Sequence, residues 1–199
     1  MNTRKLKRAE HALHRIINYQ LSSGFGPLDG IVDITLDAMA ENHHIKDLRP
    51  HAERILAAAI NARRAVEKQW PPITDCDRLD SAFAKLEEAG IVSRQNFSCC
   101  GMCGVTEICR AIVRERKQGR EFRGYTFYHV QDTESAMEGD GLHLNYGSVM
   151  RGEKAALSIG YEVAAAIHAE GLKVEWDGTW GRRIGVQLDW KRRLPQFGS

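Results

Sequence analysis

Ile91-Val-Ser-Arg-Gln-Asn-Phe97 runs through Ser98-Cys-Cys-Gly-Met-Cys103 into a segment ending at Lys117, and Gly124-Tyr-Thr-Phe-Tyr-His-Val130 follows. This stretch decides the fold, because it reads as strand, turn, helix and strand. The outer runs are β-branched or aromatic and are bounded by glycine, as strands are. The middle carries Ile108, Ala111 and Ile112 at helical spacing, so Cys103 to Lys117 reads as a helix. A strand–helix–strand unit crosses over right-handed, which makes its two strands parallel. Both strands then end at one edge of the sheet. That edge should bring Ser98–Cys103 beside His129-Val-Gln-Asp132-Thr-Glu134.

Upstream, Thr74-Asp75 offers a cap to a helix through Leu79, Ala82, Phe83, Leu86 and Ala89, with Gly90 closing it. Downstream, Leu142 to Tyr146 reads as a strand and Lys154 to Glu170 as an alanine-rich helix closed by Gly171. Leu172 to Trp176 and Ile184 to Trp190 alternate as strands on either side of a turn at Asp177-Gly178. Without the leading helix the order is β-α-β-β-α-β-β. Its first six elements match the split ferredoxin-like arrangement, with one strand added. The expectation is therefore an α+β fold, with a ferredoxin-like domain over 73–195 whose helices cover one sheet face. Leu142, Leu144 and Tyr146 would face those helices. His143 and Asn145 lie opposite, and Lys173, Glu175, Gln187 and Asp189 continue a side read as solvated surface.

Before Trp70-Pro71-Pro72 the pattern is helical throughout, which defines a first part over 1–72. Leu6, Ala9, Leu13, Ile16, Ile17 and Leu21 form one stripe, ended by Gly24-Phe-Gly-Pro27. Ile31, Ile34, Ala38 and Met39 mark a second helix. A third runs from Arg49 to Gln69 through Ile55, Leu56, Ala59, Ile60 and Val66, with Pro50 tolerated in its first turn. No catalytic grouping occurs here.

At 199 residues, 43% hydrophobic and 27% charged, the chain has enough apolar material for an ample core. No run approaches the ~18 apolar residues that a membrane span requires. The basic start, Arg4-Lys5-Lys7-Arg8, precedes no apolar stretch and cleavage site, so no secretory signal is read and the cytoplasm is the default compartment. A net charge of +2 argues against nucleic acid as a partner, and Lys191-Arg192-Arg193 reads as solvated charge. Five cysteines, three of them within five positions, point to reduced thiols or metal ligands and away from a secreted disulfide framework.

Cys76 enters by a length argument. The helix 77–89 would span about 20 Å and the next strand would return about 23 Å, which brings Cys76 to the level of Cys99. Cys76, Cys99, Cys100, Cys103 and His129 thus form the candidate metal set. Zinc suits thiolates with one imidazole. Alternatively, Cys100-Gly-Met-Cys103 at a helix start favours a reactive thiolate. The third reading is a tight turn packed with inert thiols. At a strand end, His129 is a ligand, a base oriented by Asp132 or Glu134, or a hydrogen-bonded core residue on the side of Tyr125 and Phe127. Asp132 and Glu134 otherwise cap a turn at Thr133–Met137. Cys109 reads as core. His43, His44 and His51 read as loop histidines with nothing specific to bind, and Gly139-Asp-Gly141 is too short for a phosphate loop.

Trp70-Pro71, Thr74-Asp-Cys-Asp-Arg-Leu-Asp80, Gly90-Ile-Val and Asn96-Phe97 with Cys99-Cys100 and Cys103-Gly104 form one block of motifs. Gly124-Tyr-Thr-Phe-Tyr-His129 with Gln131-Asp-Thr-Glu134, Gly141-Leu142 and Trp176-Asp-Gly178 form another. Together, over about residues 70–193, they resemble a bacterial family known only as a domain of unknown function. The resemblance implies a shared architecture and assigns no catalytic role. The expected function is a non-catalytic binding or regulatory protein with a protein partner and zinc bracing the cysteine edge. The alternative is an enzyme with Cys100 or Cys103 as nucleophile and His129 as base, working by thiol chemistry or metal-assisted hydrolysis.

Overall fold

The computed structural model describes residues 3–40 and 48–195, and divides into two units: residues up to Pro72 with 191–195, and Ile73–Trp190. His43 and His44 lie outside the described residues.

In the helical unit, α1 (Thr3–Ser23) is followed by a 3-10 turn, α2 (Ile31–Met39) and α3 (Arg49–Glu67). Ala9, Leu13, Ile17 and Leu21 from α1 share one buried cluster with Ile31, Leu36, Leu48, Ala52 and Ile55. That is the i, i+4 face which the spacing predicts. Ile34 and Val66, expected on buried stripes, are 45% and 49% exposed. In α2 the inner face is instead Ile31, Val32, Thr35, Leu36 and Met39. His51 is not in a loop but in the first turn of α3, where Nδ1 lies 3.0 Å from Glu10 Oε1. The chain returns to this unit at its far end: Leu194 is buried in the same cluster and its N–H donates to Glu67 Oε1 at 2.8 Å.

The second unit begins with α4 (Asp75–Glu88), then β1 (Ile91–Arg94), α5 (Gly101–Lys117), β2 (Gly124–Phe127) and α6 (Val130–Glu138). It continues with β3 (Leu142–Ser148), α7 (Glu153–Ala169), β4 (Lys173–Glu175) and β5 (Ile184–Gln187). The five strands form one mixed sheet in the order β1-β2-β3-β5-β4, in which β1 and β2 are parallel and the other pairs antiparallel.

This order differs from the expected ferredoxin-like one. A split β-α-β unit inserts a strand between its parallel pair, whereas here β1 pairs directly with β2 and sits at the edge. The cause is α6, a helix where a turn was expected. It separates β2 from β3, so β3 returns on the outer side of β2. Helices also occupy both faces. Ile108 and Ile112 of α5 pack on Val92 and Phe127, on one face of the β1–β2 half. On the other face α7 lies alongside α4, and the Gly124 position abuts Ile159 of α7. Among the described elements, α5 packs on the β1–β2 half of its face, and α6 touches β3. His143, Asn145 and Gly185 lie on that face.

Candidate metal centre

β1 stops at Arg94, three residues earlier than expected, and an irregular loop carries the chain to Cys100. Asn96 and Ser98 in that loop have φ of 48° and 67°, a left-handed region that costs a side-chain-bearing residue about 1–2 kcal/mol. The loop is nevertheless tied down. Phe97 N–H donates to Tyr128 O at 2.8 Å, Val130 N–H to Ser98 O at 3.2 Å, and Thr133 Oγ1 to Asn96 Oδ1 at 2.8 Å. The segments after the two parallel strands therefore lie side by side and hydrogen-bonded.

At the end of this loop the sulfur atoms of Cys99, Cys100 and Cys103 all lie within 4.8 Å of one another. Local backbone geometry brings them together. Cys100 is the extended residue that precedes α5, and the first turn of the helix folds Cys103 back over it. Gly104 then sits against the Phe127 ring, where a β-carbon would come within 2.3 Å. Helix α5 can approach the sheet this closely only with glycine there, and the approach fixes the cysteine turn at the rim. Cys99 and Cys103 are exposed and Cys100 is half-buried.

The thiols differ in acidity. The Cys103 amide and then the Cys103 thiol face Cys100 and hold its pKa below the ordinary thiol value, although the amide contact falls short of a capping hydrogen bond. Cys103, donating to Cys100 and Cys99, is pushed up to about 11. A cation bound by all three sulfurs would reverse that rise, since coordination deprotonates a thiol.

The other expected ligands stand apart. Cys76 is buried in the first turn of α4, in the layer across the sheet from α5, and does not join the sulfur group. His129 is not at a strand end; it is the residue preceding α6, buried to 7% exposure. Its N–H donates to Asp132 Oδ2 at 3.0 Å. Its Nδ1 lies 3.3 Å from the Asp132 N–H and 3.2 Å from Asp132 Oδ2, so either tautomer of the neutral ring finds a partner there. Burial lowers its pKa against the pull of Asp132, and Arg183 lowers it further, so the ring is neutral near pH 7. The ring comes close to the cysteine turn at Gly101, whose β-carbon position lies 3.9 Å from His129 Nε2.

Asp132 is buried, and its Oδ1 accepts Arg183 Nη1 at 2.7 Å. Glu134 is exposed on α6 and takes no part. Cys109 is exposed, because it falls about 100° around the helix from the buried Ile108. Arg183, just before β5, gave no signal in the sequence, because its carboxylate partner is 51 residues away. Alternation alone places Asn145 on the polar face. Its Nδ2 is buried without a hydrogen-bond partner, as is Ser98 Oγ.

No described helix is long and apolar enough to cross a membrane. A family profile described as a domain of unknown function, DUF6891, matches residues 7–194. Neither the curated proteins nor the solved structures contain a match to this chain.

Proposed function

We propose a function from the site itself, because the chain belongs to the DUF6891 family, a domain of unknown function that supplies no activity. The protein is a metal-binding module of the cytosol, in which Cys99, Cys100 and Cys103 hold a zinc ion that braces the β1–α5 loop. It acts as a non-catalytic binding or regulatory protein, presenting that rim to a protein partner. One observation carries the metal: three sulfurs from a five-residue segment converge to within 4.8 Å. Tetrahedral zinc with bonds of ~2.3 Å spaces its sulfurs about 3.8 Å apart, so only a small closure is needed. The Cys103 amide and thiol lower the pKa of Cys100, the direction that metal ligation needs. Reduced cytosolic conditions keep such thiols available.

The test is elemental analysis of protein purified without added metal, repeated on Cys99→Ser, Cys100→Ser and Cys103→Ser. About one equivalent of zinc, reduced in every variant, supports the reading. Less than about a tenth of an equivalent in the parent protein discards it.

The opposed shifts of Cys100 and Cys103 favour a second reading, a thiol enzyme acting on a disulfide substrate: Cys100 attacks it and expels one substrate thiolate, and Cys103 then displaces the other from the mixed disulfide, leaving a Cys100–Cys103 disulfide and a reduced substrate. Metal-free protein whose Cys100 alkylates with an apparent pKa well below ~8.5 would select that reading instead.

A further inference from the structure

The sheet ends in two edge strands, β1 and β4, and they are guarded differently. Along β1 the outer edge is blocked: the Ser93 N–H donates to Glu87 Oε1 at 2.7 Å, and the Arg94 guanidinium lies against the same carboxylate. Charged side chains laid along an edge keep another strand from pairing there. At β4 no such guard occurs among the described residues. Lys173, Val174 and Glu175 pair with Gln187, Val186 and Gly185 of β5, and no other described element hydrogen-bonds to their backbone. Every second residue of a strand turns its N–H and C=O away from its neighbour, so β4 offers unpaired groups along this edge.

The residues of that edge are complementary to their own reverse. Leu172-Lys-Val-Glu-Trp176 runs apolar, basic, apolar, acidic, apolar. Alternation sorts them onto two faces. Lys173 and Glu175 share the side of Gln187: Lys173 Nζ donates to Glu175 Oε1 at 2.7 Å, and Gln187 Nε2 donates to Glu175 Oε2 at 3.2 Å. Their side chains are 72% and 48% exposed. Val174 lies on the α7 side with Leu172 and Trp176, and the Trp176 ring centre is 5.1 Å from that of Tyr161 on α7. Tyr161 is 58% exposed, and so to 56% is Trp180 in the turn that follows β4. Tyrosine and tryptophan are enriched where chains meet.

Two β4 strands paired antiparallel about a two-fold axis at Val174 set Lys173 across from the partner's Glu175, and Glu175 across from the partner's Lys173. On the other face Val174 meets its own copy, and Leu172 meets the partner's Trp176. A slip of two residues in either direction opposes lysine to lysine or glutamate to glutamate. A slip of one sets the charged face of one copy beside the apolar face of the other. A single register thus satisfies both faces. We propose that the chain forms a homodimer in which β4 pairs with β4 of a second copy, joining the two five-stranded sheets into one. The interface uses none of the three cysteines, so it stands or falls apart from the metal.

The test is sedimentation velocity of the full-length protein from about 5 to about 200 μM, with and without a chelator. A dimer with a Kd in the micromolar range is expected, as suits a small interface. Glu175→Lys opposes lysine to lysine, and Lys173→Glu opposes glutamate to glutamate. Each variant alone should therefore weaken association about tenfold or more. Mixed in equal amounts, the two variants regain opposite charges at every pair and should form a heterodimer with about the parent affinity. A role of these side chains within one chain predicts no such rescue. A protein that stays monomeric throughout that range overturns the proposal. So does a dimer that both variants leave intact, a mixture that fails to recover, or a dimer lost on chelation, which belongs to the cysteine rim.

Discussion

At the scale of single residues, Gly104 joins the cysteine turn to the core. A β-carbon there would come within 2.3–2.7 Å of the Phe127 ring, and Phe127 is fully buried. Gly104→Ala should therefore destabilise the protein by about 1–3 kcal/mol in urea unfolding, as overpacking does. It should also lower zinc content by displacing the first turn of α5. At Gly101 the neighbours stand 3.8–3.9 Å off, an ordinary contact, so Gly101→Ala should leave stability almost unchanged. A large loss at Gly101 with none at Gly104 would contradict this account of how the turn is held.

His129 carries a pH prediction. Its folded pKa lies below the usual 6.5, chiefly through burial. Between those two values the unfolded chain binds a proton that the folded ring does not. Stability should thus be undiminished by this residue above pH 6.5 and should fall as pH drops through that window. Asparagine also serves well before a helix, so His129→Asn keeps the cap and removes the titration. Urea midpoints of the parent protein should decline from pH 6.5 to 5 more steeply than those of the variant. Parallel declines would show that the ring does not carry the effect.

At the scale of elements, what the sequence disclosed depended on the kind of signal. That β1 and β2 run parallel followed from the crossover between them, which does not require the strand ends to be known; that they pair directly did not, since the ferredoxin-like reading sets a strand between them. Both strands are four residues long, shorter than read, because Asn96 and Ser98 turn the chain out of the sheet early and His129 begins a helix. Helix α6 was illegible. Its nine residues bury only Asp132, Thr133 and Ala136, which makes no apolar stripe, and its start depends on a histidine–aspartate cap absent from the usual serine, threonine and asparagine set. Missing α6 produced the wrong strand order. By contrast, the start of α4 was plain from Thr74. Its hydroxyl accepts the Asp77 N–H at 3.2 Å, while its own N–H donates to Asp77 Oδ2 at 2.7 Å. Thr74→Ala should cost about 0.5–2 kcal/mol and Thr74→Ser much less, measured as shifts in the urea midpoint. Equal costs would assign the effect to the buried methyl group.

At the scale of the whole molecule, periodicity found both apolar cores, but reading 73–195 as one domain set the last residues with the sheet, whereas 191–195 group with the helical unit. The run Lys191-Arg-Arg-Leu194 is too short and too charged to carry a pattern. In the structure its partners come from far back in the chain. Arg63 Nη2 donates to Arg192 O at 3.0 Å, the Arg192 guanidinium lies 4.4 Å from the centre of the Phe25 ring, and Leu194 is 5% exposed within the helical cluster. Such contacts close a long loop, whose entropic cost rises only slowly with length, so a few buried atoms suffice to hold the strap. Leu194→Ala removes the most buried of them and should destabilise the helical unit by about 2–5 kcal/mol. Hydrogen exchange reads this directly: amides of Leu13–Leu21 and Ile55–Ile60 should lose protection. If those amides exchange as slowly as in the parent protein, the strap is an ornament on that core and not one of its walls.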